Sequence, residues 1–353
     1  MTGYATGAAT PMGWEDSGPE QVAAAVYRIP LPMRDDGLRA VNVYAIEADV
    51  GLVLIDAGWA LIESRKRLEL SLGTLGYPIR TVRRILVTHA HRDHYTLGVV
   101  LRREFGCRLE LGEGERPAIE RLLATPTRLV EQVDQLRRAG AEALADAIAA
   151  KARSTVESDE WERPDAWLKA GYVDLGSRVL QVLHTPGHTQ GHMVFIDAAA
   201  GLMFSGDHIL PHITPSIGFE PGPTRNPLAD YLASLDAVRQ LPDMRMLPAH
   251  GPVRESVHAR VDELVMHHDA RLADTMRIVG ESGSITALGV ARQLTWTRRS
   301  RRLAELDEFN QMLAIIETAA HLDLLVSTGR LLGSADEIAH YALAAAAKRG
   351  SGE

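Results

Sequence analysis

Thr88-His89-Ala90-His91-Arg92-Asp93-His94 places three histidines and an aspartate directly after the apolar run Arg84-Ile85-Leu86-Val87. The run is short and rich in leucine and β-branched residues, which predicts a buried strand. Imidazole and carboxylate groups are ligands that zinc and iron accept. Because one residue separates the first two histidines, an extended turn can direct both imidazoles at one point, while the aspartate and third histidine reach a second point. The stretch therefore predicts the start of two adjacent metal sites, in preference to a solvated histidine-rich loop.

Four further segments carry an acidic residue or a histidine at the end of a predicted strand or in the turn after it. They are Leu52-Val53-Leu54-Ile55-Asp56-Ala57-Gly58, Thr185-Pro186-Gly187-His188-Thr189, Met203-Phe204-Ser205-Gly206-Asp207 and Met246-Leu247-Pro248-Ala249-His250-Gly251. Together with the His-x-His-x-Asp-His motif, these segments resemble, in the same order, the signature of the metallo-β-lactamase superfamily of hydrolases. The resemblance covers residues 25–255.

The resemblance implies an α/β fold, the four-layer αββα sandwich of that superfamily, and a dinuclear metal site. Two divalent ions are expected, with zinc preferred because no cysteine is among the ligands, and with iron or manganese as alternatives. The implied ligands are His89, His91 and His188 for one ion, Asp93, His94 and His250 for the other, and Asp207 as the bridge between them.

Three other polar residues are candidates for a role beside the metal ligands. The resemblance places Asp56 next to the ligand loop as its support. His208 follows the bridging aspartate directly and His212 comes four residues later, so either could face the substrate. His184 and His192 are predicted to form hydrogen bonds with neighbouring groups instead.

The ligand set indicates hydrolysis by activated water. Two divalent ions about 3.5–4 Å apart lower the pKa of a shared water from about 15.7 towards about 7. The hydroxide then attacks an electrophilic carbonyl or phosphorus without a serine or cysteine nucleophile. Asp93 is the ligand best suited to orient this hydroxide and carry its proton, so it is the predicted catalytic carboxylate.

The 353-residue chain has an ordinary globular composition, with 46% hydrophobic and 24% charged residues. Its net charge of −8 argues against indiscriminate binding to nucleic acid or acidic membranes. The single cysteine, Cys107, excludes an intrachain disulfide framework and fits a reducing compartment. No stretch approaches the roughly 18 consecutive apolar residues of a membrane span. Residues 1–20 resemble a flexible tail and not a signal peptide, so the expected location is the cytoplasm.

The length predicts one large domain and a smaller one. We expect a catalytic domain over residues 21–255, a C-terminal domain over 256–346 and a short tail over 347–353. Residues of about 113–170, with helices predicted over 118–123 and 129–152, form an expected helical insertion. The insertion is either a lid or substrate wall, or a structural elaboration.

The C-terminal domain is predicted to contain helices over 255–280, 286–294 and 307–327, followed by Gly329-Arg330-Leu331. This order resembles the winged-helix domain of the β-lactamase-2-like, glyoxalase II-like branch. The run Arg298-Arg299-Ser300-Arg301-Arg302 gives a local cationic segment that could bind nucleic acid. A buttress for the catalytic domain is the preferred role.

The predicted function is hydrolysis of an activated acyl bond, a thioester or lactone, in a small intracellular metabolite. A metal-dependent endoribonuclease or nuclease with the same site is the alternative, and it is disfavoured by the acidic charge. A vestigial regulator, an exported β-lactamase and a mononuclear iron dioxygenase are weaker alternatives. The expected partner is a small-molecule substrate, and no membrane association is expected. A homodimer is possible.

Overall fold

The computed structural model describes residues 13–34, 38–124, 129–153, 160–220, 226–297 and 300–344. Within these ranges, seven strands form one sheet, paired in chain order. Strands β1 to β4 pair antiparallel, and β4 to β7 pair parallel. The strands are Glu20–Ala23 (β1), Val26–Pro32 (β2), Ala40–Ala48 (β3), Gly51–Ile55 (β4), Val82–Val87 (β5), Arg108–Gly112 (β6) and Ala166–Leu168 (β7).

A second sheet in the described part of the chain contains five strands in the order β12-β11-β10-β9-β8. Its pairs are antiparallel except for β11 with β12, which are parallel. The strands are Gly171–Asp174 (β8), Val179–His184 (β9), Met193–Asp197 (β10), Leu202–Gly206 (β11) and Arg245–Pro248 (β12).

The described residues also include nine α-helices and a terminal two-stranded hairpin. The helices are Ile62–Thr74 (α1), Arg92–Phe105 (α2), Arg116–Ala124 (α3), Val130–Arg138 (α4), Glu142–Arg153 (α5), Pro227–Arg239 (α6), Val257–Ser282 (α7), Ala287–Gln293 (α8) and Glu308–Ser327 (α9). The hairpin consists of Leu331–Gly333 (β13) and Tyr341–Leu343 (β14). Short 3-10 turns lie at Ile79–Thr81, Glu113–Glu115 and Leu303–Glu305.

Alternating side chains of the strands fill two different cores, because successive residues of a strand point to opposite faces. Val43 and Ala45 of β3 pack in the core that includes Leu68 of α1 and Leu97 of α2. Tyr44, between them, packs in the core that joins the two sheets. A third core lies between the second sheet and α6, α7 and α9. The order of the layers is therefore helix, sheet, sheet, helix, as expected for the αββα sandwich.

The strands that precede the candidate ligands end side by side. β4 and β5 are parallel, so Asp56 lies next to the segment that follows Val87. In the second sheet, β9 runs in the same direction as β11 and β12, because the antiparallel β10 separates β9 from β11. The segments that follow these three strands therefore meet at one edge of the sheet, where open α/β sheets commonly form their sites.

Two predictions of local structure need correction. Asp93 and His94, which were predicted in an extended turn after the strand, lie in the first turn of α2, which begins at Arg92. The helix predicted over residues 129–152 is two helices, α4 and α5. Gly140 lies between them with φ +81°, a left-handed conformation that ends a helix and favours glycine.

The helical insertion shares its core with the C-terminal helices. Leu136 of α4 and Ile148 of α5 are buried in the same cluster as Ile315 of α9 and Val261 of α7. An ion pair between Lys151 and Glu308 also joins α5 to the first turn of α9. The insertion and the C-terminal region are therefore packed as one layer over the second sheet.

The C-terminal region consists of α7, α8 and α9 followed by the β13–β14 hairpin, with a bridge from Ile285 to Tyr341. Its assignment as a winged helix stays a prediction. Arg298 and Arg299 of the predicted cationic run lie outside the described residues, whereas Arg301 and Arg302 are exposed. Within the described ranges, no helix is both long enough and apolar enough to cross a membrane.

Of the predicted N-terminal tail, residues 13–20 are described, and residues 1–12 lie outside the described ranges. The carbonyl oxygens of Asp16 and Ser17 accept hydrogen bonds from Arg67 on α1. The predicted tail over 347–353 also lies outside the described residues.

Replacing Glu317 of α9 with glutamine is expected to raise the melting temperature at pH 8 by about 2–5 °C and to change it little at pH 4.5. Burial raises the pKa of Glu317 to about 7, against its ordinary value of 4.5, and the nearby Arg271 opposes this only in part. Between these two values the unfolded chain loses the proton while the folded chain keeps it, so stability falls as the pH rises. Thermal unfolding of both proteins across pH 4.5–8 measures the difference, and equal curves at pH 8 would contradict it.

Candidate metal centre

Three imidazoles form the first ligand group. His89 Nε2 lies 2.9 Å from His91 Nδ1, which in turn lies 3.1 Å from His188 Nε2. His89 and His91 come from the segment after β5, and His188 comes from the Pro-Gly-His-Thr turn after β9. Asp207, after β11, places its Oδ2 3.6 Å from His188 Nε2. Each of these four residues offers one potential ligand atom, and the four atoms lie close enough together to bind a single cation.

The second ligand group consists of Asp93, His94 and His250. Asp93 Oδ2 lies 3.2 Å from His250 Nε2 and 3.4 Å from His94 Nε2. The other oxygen of Asp207, Oδ1, lies 3.4 Å from His250 Nε2 and 3.6 Å from His94 Nε2. Asp207 therefore presents one carboxylate oxygen to each group, which is the arrangement that a bridging ligand requires.

The nitrogen of each ligand imidazole that points away from the cluster has a hydrogen-bonding partner. Three of these nitrogens pair with main-chain carbonyl oxygens, and two pair with side-chain oxygens. The pairs are His91 Nε2 with Phe219 O (3.3 Å), His188 Nδ1 with Ser216 O (2.8 Å), His250 Nδ1 with Ala40 O (2.8 Å), His94 Nδ1 with Asp56 Oδ2 (2.9 Å) and His89 Nδ1 with Thr88 Oγ1 (3.0 Å).

These partners determine which imidazole nitrogen carries the proton. A carbonyl or carboxylate oxygen only accepts, so the outward nitrogen must be N–H. Thr88 donates its hydroxyl proton to Asp56, so towards His89 it accepts as well. The inward nitrogens of the neutral imidazoles are then lone pairs that face one another at about 3 Å, an arrangement that repels unless a cation lies between them.

Several inward atoms also lack a partner within the described residues. His94 Nε2, His250 Nε2 and Asp207 Oδ1 are buried and make no hydrogen bond. A buried polar atom without a partner is costly, and a metal ion would satisfy all three atoms. The residues present therefore fit two divalent cations held by five imidazoles and two carboxylates.

The electrostatics differ between the two groups. Burial lowers the pKa of His89 and of His188, and lowers that of His91 to about 3, so the first group stays neutral and ready to bind a cation. Burial also opposes the charging of His94 and His250, but nearby carboxylates outweigh it and raise the pKa of both. Protons therefore compete for the second group more strongly than for the first.

Asp56 supports the ligand segment, as the resemblance implied. Its Oδ1 accepts a hydrogen bond of 2.8 Å from the Thr88 main-chain N–H, and its Oδ2 holds His94. Asp56 is buried and adopts φ +59°, a left-handed conformation that is unusual for a residue other than glycine. The strained backbone directs one carboxylate at two points of the His-x-His-x-Asp-His segment.

Asp56→Asn is expected to weaken metal binding by the Asp93 group and to lower kcat/KM, each by about 10- to 100-fold. The asparagine offers one acceptor oxygen where Asp56 uses two, so it cannot hold both Thr88 and His94. Metal titration and steady-state kinetics measure the two effects. The matched control is Asp146→Asn on α5, where the exposed carboxylate pairs with Arg137, away from the ligand groups. Equal metal affinity in Asp56→Asn and the unchanged protein would argue against the supporting role.

His192 supports the cluster from behind. Its Nε2 accepts a hydrogen bond of 3.2 Å from the Asp207 main-chain N–H, and its Nδ1 lies 3.0 Å from Thr185 Oγ1. Its ring also stacks on that of His89 at 5.0 Å. Gly206 makes this packing possible, because a Cβ at that position would lie 2.7 Å from His192 Nε2 and 2.8 Å from Thr88 Cβ.

The remaining histidine candidates lie in different surroundings. His208 is completely buried, with its ring 5.3 Å from that of Tyr231, so solvent does not reach it. His212 is exposed and lies beside Gly251, the residue after the ligand His250. His184 Nε2 lies 2.7 Å from the carbonyl oxygen of Gln190. Of the two histidines predicted to face the substrate, only His212 is accessible.

The segment 216–220 was missed by the sequence analysis. The carbonyl oxygen of Ser216 accepts a hydrogen bond from His188, and that of Phe219 accepts one from His91. The segment therefore orients two ligands of the first group. Nothing in its side chains predicts this role, because the contacts are made by the main chain. Glu115 was also missed. It is buried beneath the His188 turn, where it accepts a hydrogen bond from Thr189, and burial raises its pKa to about 8.

Comparisons with known proteins agree with this geometry. The chain is 27% identical to the probable metallo-hydrolase YqjP of Bacillus subtilis, over 84% of this chain and 90% of that protein. It is 30% identical to the beta-lactamase-like protein 2 homolog of Caenorhabditis elegans, but this match spans only 52% of that relative and 44% of this chain.

Two solved structures are similar over nearly the whole chain. A metallo-beta-lactamase family protein from Thermus thermophilus superposes with a TM-score of 0.76 at 27% identity, covering 90% of this chain and 98% of that one. A beta-lactamase domain protein from Burkholderia ambifaria superposes with a TM-score of 0.78 at 28% identity, covering 96% and 97%. The family profile described as Metallo-beta-lactamase superfamily matches residues 36–250. With its paired ligand groups at the ends of the strands, the chain belongs to the metallo-β-lactamase superfamily and is a metal-dependent hydrolase.

Proposed function

We propose that this hydrolase cleaves an activated acyl bond, a thioester or a lactone, in a small intracellular metabolite. The observation that carries the proposal is the paired ligand site, in which Asp207 presents one oxygen to each group and Asp93 remains partly accessible. Zinc is the proposed metal because the ligands are imidazoles and carboxylates, and iron or manganese would accept the same ligands.

The residues of the site divide the work of hydrolysis. When two divalent ions are bound, they polarise the substrate oxygen and lower the pKa of water towards about 7. Asp93 orients the attacking water and accepts its proton, then returns a proton to the leaving group. Burial raises the pKa of Asp93, but the imidazoles of His94 and His250 outweigh it and hold the pKa well below its usual range. The carboxylate is therefore ionised at neutral pH, as a base must be.

We propose that residues 256–346 form a winged-helix unit that buttresses the catalytic domain over 21–255. Support comes from the packing of α7 and α9 in one core with the insertion helices and the second sheet. The helical insertion then forms a wall of the cleft: Gln132 and Gln135 of α4 donate to the carbonyl oxygens of Glu220 and Gly218, next to the ligands. A cytoplasmic location fits the single buried thiol of Cys107.

A substrate panel tests the proposed bond. Metal-loaded protein is assayed with acyl-thioesters, lactones and single-stranded RNA, and the metal content of protein purified without added metal is measured alongside. We expect turnover of a thioester or lactone and no cutting of RNA. If RNA is cut, Asp93→Ala removes the cutting, and no acyl substrate reacts, the nuclease alternative replaces this proposal.

A further inference from the structure

The seven proposed metal ligands differ in their exposure. Of the seven proposed ligands, five are almost fully buried, and only His91 and Asp93 are partly exposed. A substrate carbonyl must therefore approach over His91 and Asp93. Whatever side chains border these two ligands will contact the parts of the substrate that flank the scissile bond.

Phe219 borders this opening beside His91. Its carbonyl oxygen accepts a hydrogen bond from His91 Nε2, and its ring centroid lies 6.0 Å from the centroid of the His91 imidazole. The ring of Phe309, from the first turn of α9, stands edge-on to Phe219 with centroids 5.7 Å apart and planes at 82°. Phe309 is 45% exposed. The two rings thus form a continuous apolar surface, the Phe219–Phe309 pair, that runs outward from a metal ligand.

Hydrogen bonds fix the segments that carry the two rings. The segment that carries Phe219 is fixed by Gln132, which donates to Glu220 O at 2.9 Å, and by the Gln190 N–H, which donates to the Glu220 carboxylate at 2.8 Å. Asp307 caps the first turn of α9 by accepting a hydrogen bond of 2.9 Å from the Asn310 N–H. A binding surface that is already ordered loses little entropy when its ligand arrives.

We propose that the Phe219–Phe309 pair binds the acyl group of the substrate and selects apolar acyl groups of about four carbons or more, or aromatic ones. The inference rests on the proposed acyl hydrolysis. Exposed phenylalanine is common when isolated, but two rings in contact that lead to a metal ligand make a specific apolar surface. Arg92, between the two accessible ligands in the sequence, lies 4.9 Å over the Trp59 ring and ion-pairs with Glu160. The charged groups of Arg92 and Glu160 suit the leaving group of the substrate better than an apolar acyl chain.

The test compares acetyl, hexanoyl and benzoyl thioesters of N-acetylcysteamine with the metal-loaded full-length protein. We expect kcat/KM to be about 10-fold higher for hexanoyl and benzoyl than for acetyl. In Phe309→Ala this ratio should fall to about one, and in Phe309→Leu the hexanoyl preference should be kept while the benzoyl preference falls. Phe309 is exposed in the first turn of a helix, so its replacement leaves the core intact. The control is Leu332→Ala on β13, a residue 60% exposed, and its ratio should be that of the unchanged protein.

The possible results separate this inference from the proposed function. If the thioesters are hydrolysed but the hexanoyl-to-acetyl ratio is near one, or is the same in Phe309→Ala, the inference is overturned and acyl hydrolysis stands. If neither thioesters nor lactones are hydrolysed, the proposed function fails and this inference fails with it. Inhibition by hexanoate relative to acetate gives a second measurement, and its preference should fall in Phe309→Ala by the same factor.

Discussion

Asp207→Ala is expected to lower the metal content from about two ions per chain to one or none, and to reduce kcat/KM by about 1,000-fold or more on every substrate. The carboxylate of Asp207 is the one group that both ligand groups share, with Oδ2 towards His188 and Oδ1 towards His94 and His250. Its removal leaves Asp93 as the one carboxylate among the proposed ligands to balance two dications. Elemental analysis of the purified protein and steady-state kinetics measure the two losses.

A buried aspartate elsewhere provides the control for this experiment. Asp197 on β10 is as buried as Asp207 but pairs with Arg178, away from the cluster. Asp197→Ala should lower stability while the metal content stays at about two ions per chain. Full metal content and full activity in Asp207→Ala would contradict the bridging role.

The strands that lead to the ligands were predictable from the sequence because each is a short apolar run that ends near its ligand. β5 is an example, because the run Arg84-Ile85-Leu86-Val87 was predicted as a buried strand and the structure has a strand over Val82–Val87. The ligands follow directly from the strands, since each lies within a few residues of a strand end. The choice of these seven residues as one site came from the resemblance to the superfamily, and the structure brings them together in two groups.

Other parts of the site could not be predicted, because main-chain groups and long-range packing carry them. The carbonyl oxygens of Ser216, Phe219 and Ala40 orient three ligand imidazoles, and a carbonyl oxygen leaves no mark on residue type. The role of Phe219 beside His91 could not be predicted for the same reason. Asp93 and His94 were expected in a loop, because helix propensity within His-Arg-Asp-His is weak, but the apolar face of α2 packs on the first sheet and carries the helix back to Arg92.

The packing of the helical insertion could not be predicted from local sequence patterns. The many Ala, Leu, Arg and Glu residues predicted helices in this region, and Gly140 ends the first of them in a left-handed conformation. The side chain of Thr286 lies 3.4 Å from where a Cβ added to Gly140 would be. Thr286 is the N-cap of α8, more than a hundred residues later in the chain. The way in which the insertion packs against the C-terminal helices is therefore decided by contacts that no local pattern contains.

Asp93→Asn is expected to lower kcat by about 100- to 1,000-fold even when metal is saturating. Asparagine keeps an oxygen near His94 and His250 but cannot accept a proton. Among the proposed ligands, Asp93 is the one carboxylate of the second group that is partly accessible, with its side chain 15% exposed. It is therefore the group that can both hold an ion and contact the attacking water.

The comparison with His250→Ala separates these two roles. His250 belongs to the same ligand group, with its Nε2 3.2 Å from Asp93 Oδ2, but an imidazole whose other nitrogen donates to Ala40 O has no free position for a proton of the reaction. Both variants should bind the second ion more weakly. At saturating metal, His250→Ala should recover much of its kcat, whereas Asp93→Asn should not. If the two variants recover equally, Asp93 acts as a ligand alone and the proton is taken by another group.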